Sequence, residues 1–77
     1  MWLEKDNKLM REFRFADFQE AFTFMTRVAF VAEHHGHHPN WYNSYKYVRI
    51  ELQTFDADFT VTKKDRDLAS AIDALLA

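Results

Sequence analysis

Apolar residues along this chain switch repeatedly between a strand-like and a helix-like period. From Met1 to Phe15, Leu9, Phe13 and Phe15 fall on alternate positions with Arg11 in phase among them. Asp6-Asn7-Lys8 supplies a turn before that run, so a β-hairpin is predicted, with Trp2 and Leu3 in its first strand. The period then lengthens. Asp17 and Glu20 have the spacing of a capping box, in which each side chain accepts from an amide that the first helical turn leaves free. Behind them Phe18, Ala21, Phe22, Met25, Val28, Ala29 and Ala32 recur at three and four, predicting one core-facing stripe, with Phe24, Phe30 and Val31 outside it. Gly36 is the natural stop, since the left-handed residue that ends a helix is least strained as glycine.

Alternation returns after Pro39. Trp41 to Tyr45 and Tyr47 to Phe55 are predicted as two strands; Val48, Ile50 and Leu52 share one face of the longer, and Tyr47, Arg49, Glu51, Gln53 and Phe55 the other. Thr62 and Asp65 repeat the capping spacing ahead of a second helix carrying Leu68, Ala69, Ile72, Leu75 and Leu76. The order is therefore β-β-α-β-β-α. Its economical packing is an α+β domain, a four-stranded antiparallel sheet with two helices on one face, formed by residues 1–77 as a single unit.

Composition narrows the function classes. A 77-residue domain buries only about 60% of the surface its unfolded chain exposes, and with no cysteine it has no disulfide to reinforce it, so self-association is expected. Eight Phe, three Tyr and two Trp are enough large groups for a dense core or a subunit interface. The ten Lys and Arg are scattered among twelve acids rather than gathered in a stripe, which argues against direct nucleic acid binding. Charges in Met1-Trp2-Leu3-Glu4-Lys5-Asp6 stand where a signal peptide needs an apolar run, and no segment approaches the ~20 apolar residues of a membrane span. A cytoplasmic protein without a membrane partner is expected.

The local feature with most chemistry in it is four histidines in five positions, His34, His35, His37 and His38. A metal-dependent protein is one reading, since neutral imidazoles ligate zinc, copper or nickel, and His34 with His37 or His35 with His38 could approach one ion. Against it, no acid beyond Glu33 is close in sequence, and adjacent residues at a helix end point in different directions. His34 and His35 read better as a solvated helix terminus, where imidazolium suits the dipole. His38 precedes Pro39 and is biased toward extended backbone, so the second pair belongs to the loop after the helix.

The string Glu33-His34-His35-Gly36-His37-His38-Pro39-Asn40-Trp41 resembles the signature of the pterin-4a-carbinolamine dehydratases: an acid, three variable positions, His-His-Pro, and an aromatic two residues on. Tyr45, the Val48-Ile50-Leu52 strand, Thr54, Val61-Thr62, Asp65, Leu68 and Ala69 follow in the family's order, so the resemblance covers essentially the whole chain. It implies dehydration of a 4a-hydroxytetrahydropterin (4a-hydroxytetrahydrobiopterin) to the quinonoid dihydropterin, the recycling step after aromatic amino acid hydroxylation. That reaction needs an acid for the departing hydroxyl and a base for the N5 proton, and no metal or redox cofactor. Histidine suits both roles at neutral pH. By the resemblance, His37 and His38 are the catalytic imidazoles and Asp65 orients or charges one of them, although its spacing equally fits plain helix capping. Glu33, Pro39, Trp41 and Phe55 are the implied substrate-site residues, with core packing the competing role for Trp41.

The chain departs from the family pattern in one stretch. Phe55 stands where the family has a third histidine, and Asp58-Phe59 stands where relatives commonly have small residues, often Gly-Gly. Phenylalanine stacks on a pterin but transfers no proton, and losing one positioned acid or base typically removes about 10²–10⁴-fold in rate. The expectation is a dehydratase, either slowed by this loss or with its remaining histidines carrying the step, that assembles as a homodimer or homotetramer. The alternative is a catalytically degenerate pterin-binding or protein-interaction module on the same fold, since one animal branch of the family also stabilises a homeodomain transcription factor dimer. The apolar residues Phe24, Phe30 and Val31 or the adjoining strand edge would form the interface.

Overall fold

A two-residue turn sets the first reversal of the chain. Asp6 and Asn7 both have positive φ (54° and 62°), the backbone that a tight hairpin requires at its two central positions and that Asp and Asn tolerate best among residues with a side chain. The computed structural model describes all 77 residues, in the order β1 (Leu3–Lys5), β2 (Lys8–Arg14), α1 (Phe18–His35), β3 (Asn40–Ser44), β4 (Tyr47–Leu52) and α2 (Lys63–Ala74). Trp2 lies just before β1. The sheet order is β1-β2-β4-β3, antiparallel throughout, so β1 and β3 are its edges. No helix is long and apolar enough to cross a membrane.

Register follows from burial. Leu9 pairs with Leu52 and Phe13 with Val48, while Trp41 pairs with Ile50, which places all of these on the face that carries the helices. That face and the two helices enclose one core, in which Val28, Val48, Ile50, Leu52, Leu68 and Ile72 are fully buried. The opposite face is open and polar. There Tyr47 donates to Glu12 Oε2 at 2.7 Å, Arg14 lies over the Tyr47 ring, and Arg49 lies over the Tyr42 ring.

The core stripe of α1 differs from the one the spacing predicts. Ala21, Phe24, Val28 and Ala32 are buried, with Met25 and Val31 packed against the core, whereas Phe18, Phe22 and Ala29 face outward. Ala21, Met25, Val28 and Ala32 belong to both the predicted and the observed stripe, which are offset by roughly 55° on an ideal helix. Phe13 and Phe15 of the first hairpin decide between them, because their rings pack on Phe24 at centroid distances of 4.9 and 5.0 Å. Of the three residues expected outside the stripe, only Phe30 is exposed. The apolar surface left on α1 is therefore Phe18, Phe22 and Phe30, and the first two stack on each other.

Strand β4 also ends earlier than the alternation predicts. After Leu52 the chain keeps only an isolated bridge, Thr54 to Thr60, and residues Phe55–Ala57 form a 3₁₀ turn. Asp58 and Phe59 then both adopt positive φ (56° and 57°), conformations that cost roughly 1–2 kcal/mol in a residue with a Cβ. This is the physical reason small residues suit these two positions. Thr54 N–H bonding to Thr60 C=O at 2.8 Å, together with Thr60 Oγ1 bonding to Ala57 C=O, closes the loop across them.

Two measurements test this description. The hydrogen bond to Glu12, reinforced by burial, holds the Tyr47 phenol above its ordinary value of 10.0, so a spectroscopic titration should show Glu12→Gln bringing it down. Because the folded-state value is the raised one, the associated stability is present below the unfolded tyrosine range and is lost as pH climbs through the folded value. In urea unfolding, Asp58→Gly should be more stable than the native chain and Asp58→Val less stable, with a spread of about 1–2 kcal/mol. Equal midpoints would show that the loop is not strained at this residue.

Candidate active site

Gly36 builds the first half of the site. With φ 61° and ψ 30° it ends α1 in the left-handed conformation, while Gly36 N–H bonds to Glu33 C=O and His37 N–H bonds to Ala32 C=O, each at 3.1 Å. This paired closure satisfies two carbonyls at the helix end and turns the chain sharply back toward the sheet. The two residues that follow then face opposite ways. His37 points inward, its side chain 11% exposed, and His38 points outward at 65%.

Asp65 builds the second half from the start of α2. It has no exposed surface. Its Oδ2 accepts from Thr62 N–H at 2.9 Å, the reach-back bond that its position three residues after the helix cap predicts, and from Thr54 Oγ1 at 2.7 Å. Oδ1 is left to meet His37 Nε2 at 2.5 Å. Capping and pairing with an imidazole, which read as competing roles in the sequence, are divided between the two oxygens of one carboxylate. With a carboxylate oxygen as acceptor, the proton of a neutral His37 sits on Nε2, and Nδ1 carries the lone pair.

A second, solvent-facing pair lies beside the first. His38 Nε2 is 2.8 Å from Glu33 Oε1, on side chains 65% and 80% exposed. His34 and His35 are exposed at the helix end with their rings edge to face. No three His, Asp or Glu side chains converge where an ion could be held.

The other residues singled out from the sequence are spread around these pairs. Pro39 is half-buried and leads into β3. Trp41 borders a hollow of about 320 Å³ with Asn40, Tyr42, Arg49 and Glu51, and a larger groove, about 540 Å³ between Phe15, Phe24, Arg27 and Leu75, contains no histidine. Phe55 is 74% exposed and meets the half-exposed Phe59 ring edge to face at 4.8 Å. Thr54 is the site-lining residue that sequence reasoning passes over. Its signal was the parity of β4, because it continues the buried series Val48, Ile50, Leu52 with a hydroxyl, and a hydroxyl on a buried face needs a partner.

Comparison with known proteins identifies the family of the chain and its fold. The sequence profile of the family described as pterin 4 alpha carbinolamine dehydratase matches residues 1–75. Relatives include a protein of Rhodopseudomonas palustris (strain HaA2), 51% identical over 76 residues that cover 96% of this chain and 74% of the relative. Another, from Bradyrhizobium sp. (strain BTAi1 / ATCC BAA-1182), is 51% identical over 78 residues covering 99% of this chain and 78% of its own. Both bear the name pterin-4-alpha-carbinolamine dehydratase as a provisional assignment. The crystal structure of a transcriptional coactivator/pterin dehydratase from Brucella melitensis superposes with a TM-score of 0.90 at 36% identity, over 99% of this chain and 82% of that one. A pterin dehydratase-like protein identified as a RuBisCO assembly factor in the alpha-carboxysome superposes at 0.78 with 26% identity, over 97% and 86%. On its sequence along nearly the whole length, and on its fold, this chain belongs to the pterin-4-alpha-carbinolamine dehydratase family.

Proposed function

We propose that this protein dehydrates a 4a-hydroxytetrahydropterin, such as 4a-hydroxytetrahydrobiopterin, to the quinonoid dihydropterin, in the cytoplasm and without a metal or redox cofactor. The observation that carries the reading is the pairing of two adjacent imidazoles with two carboxylates, His37 with buried Asp65 and His38 with exposed Glu33. The reaction breaks the C4a–O bond as the hydroxyl takes a proton and leaves as water, and it forms the N5=C4a bond as N5 gives up its own proton. One group must donate a proton and another accept one. His37, its tautomer fixed by Asp65, offers the Nδ1 lone pair as base, and His38, whose Nε2 lies against Glu33, is the acid when protonated. Pro39 and Trp41 support the loop and strand that frame the histidines. Phe55 offers a ring for the pterin face in place of a third proton-transfer group.

The test is the rate of 4a-hydroxytetrahydropterin dehydration above the uncatalysed background. The native protein should accelerate it, His37→Ala and His38→Ala should each lose about 10²–10⁴-fold, and Phe55→His should gain. A native protein with no activity above background overturns the reading.

A second reading, an interaction module with no remaining chemistry, is favoured by one specific observation, the exposed apolar surface of Phe18, Phe22 and Phe30 on α1. The likeness to a RuBisCO assembly factor is in keeping with that use of the fold. On either reading we expect a homodimer or homotetramer that covers this surface or the β3 edge, and no direct contact with nucleic acid. Sedimentation at micromolar concentration should give a multiple of the chain mass, and Phe22→Glu should lower it; a monomeric native protein would count against self-association.

A further inference from the structure

A hydroxyl group has one hydrogen, and that fact orders the contacts around Asp65. Thr54 Oγ1 lies 2.7 Å from Asp65 Oδ2 and 2.5 Å from Thr62 Oγ1. A carboxylate only accepts, so the Thr54 hydrogen goes to Oδ2; the second contact is then a bond that Thr62 donates and Thr54 accepts. The result is a directed chain, Thr62 to Thr54 to Asp65, whose last member accepts from His37 through its other oxygen. Thr54 is 4% exposed, and its backbone is fixed by its bridge to Thr60. It therefore has little freedom to turn elsewhere. Thr62 N–H also donates to Oδ2, so that oxygen is fully engaged from the protein side and only Oδ1 faces the imidazole.

We propose that Thr54 is a positioning residue for the site: through its single hydroxyl hydrogen it fixes the plane and charge of the Asp65 carboxylate, and through Asp65 the tautomer and orientation of His37. Thr62 supports it from one bond further back. Both act through Asp65. Drawing negative charge toward Oδ2 weakens the hold of Oδ1 on a protonated imidazole, which leaves His37 readier to exchange its proton. This inference rests on the proposed reaction for its purpose, but the relay itself exists whether or not a pterin is turned over.

The experiment compares Thr54→Val, which keeps the shape of the side chain and removes the hydroxyl, with Thr54→Ser, which keeps the hydroxyl. The His37 ring protons are followed by NMR through a pH titration of the whole chain, and dehydration kinetics are measured alongside. With Thr54→Val the His37 midpoint should rise, and kcat should fall about tenfold while KM stays within about twofold. Thr54→Ser should restore both. A folded Thr54→Val protein whose His37 titration overlays the native curve overturns the proposal. Should Thr54→Val not fold, Thr62→Val decides: a smaller upward shift supports the relay, and an unchanged titration refutes it. If the native protein shows no dehydration at all, the proposed reaction falls, and the titration still tests the relay independently.

Discussion

A carboxylate with no contact with water has to find every partner inside the protein, and that requirement on Asp65 organises this small domain. The end of β4 delivers Thr54, the first turn of α2 delivers Thr62, and the closure of α1 delivers His37, so three elements meet on one side chain. Removing one partner from a buried, hydrogen-bonded charge typically costs about 3–5 kcal/mol. In a chain with only 14 of 77 residues buried, that is comparable to a large part of the net stability a domain of this size can have. Other local features serve to bring the partners in. Gly36 turns His37 back toward the sheet, and the Thr54–Thr60 bridge keeps Thr54 in phase with β4 after the regular strand has ended.

Much of this was legible in the sequence because the signals were local. The alternation of Val48, Ile50 and Leu52, the capping spacings at Asp17 and Thr62, and Gly36 as a helix stop each specify a backbone state without help from the rest of the chain. The core face of α1 was legible only in part: Ala21, Met25, Val28 and Ala32 do face the core, but Phe18 and Phe22 on one flank of that stripe competed with Phe24 on the other. The choice between them was made by Phe13 and Phe15, residues of another element. The end of β4 was misplaced for a related reason: Gln53 and Phe55 continue the alternation in composition, while the backbone has already turned into the 3₁₀ segment.

At the site, the sequence singled out His37, His38, Asp65 and Glu33 but left open which would pair with which. His37 and His38 are neighbours, and no spacing rule says which carboxylate each will meet. The helix closure decides it, by sending one ring into the protein and the other out. Asp65 looked ambiguous between cap and site because a one-letter code does not show that a carboxylate has two oxygens to assign. Thr54 was marked in the sequence only by the parity of β4, which puts its hydroxyl on the buried face. The departures at Phe55, Asp58 and Phe59 acquire a physical meaning that the sequence lacked, since the two rings meet across a loop held in left-handed backbone.

The two imidazole–carboxylate pairs differ in what would keep them in place over evolutionary time. His37, Asp65 and Thr54 are held by the fold as well as by any reaction, so a descendant that lost its chemistry would still be selected to keep Asp65 and Thr54 for the sake of a folded α2. Their persistence is therefore a poor witness to activity. His38 and Glu33 lie on the surface, and nothing in the core depends on them. Once the chemistry was gone they would be free to drift. Of the two pairs, the exposed one is the more sensitive to whether any chemistry is still required.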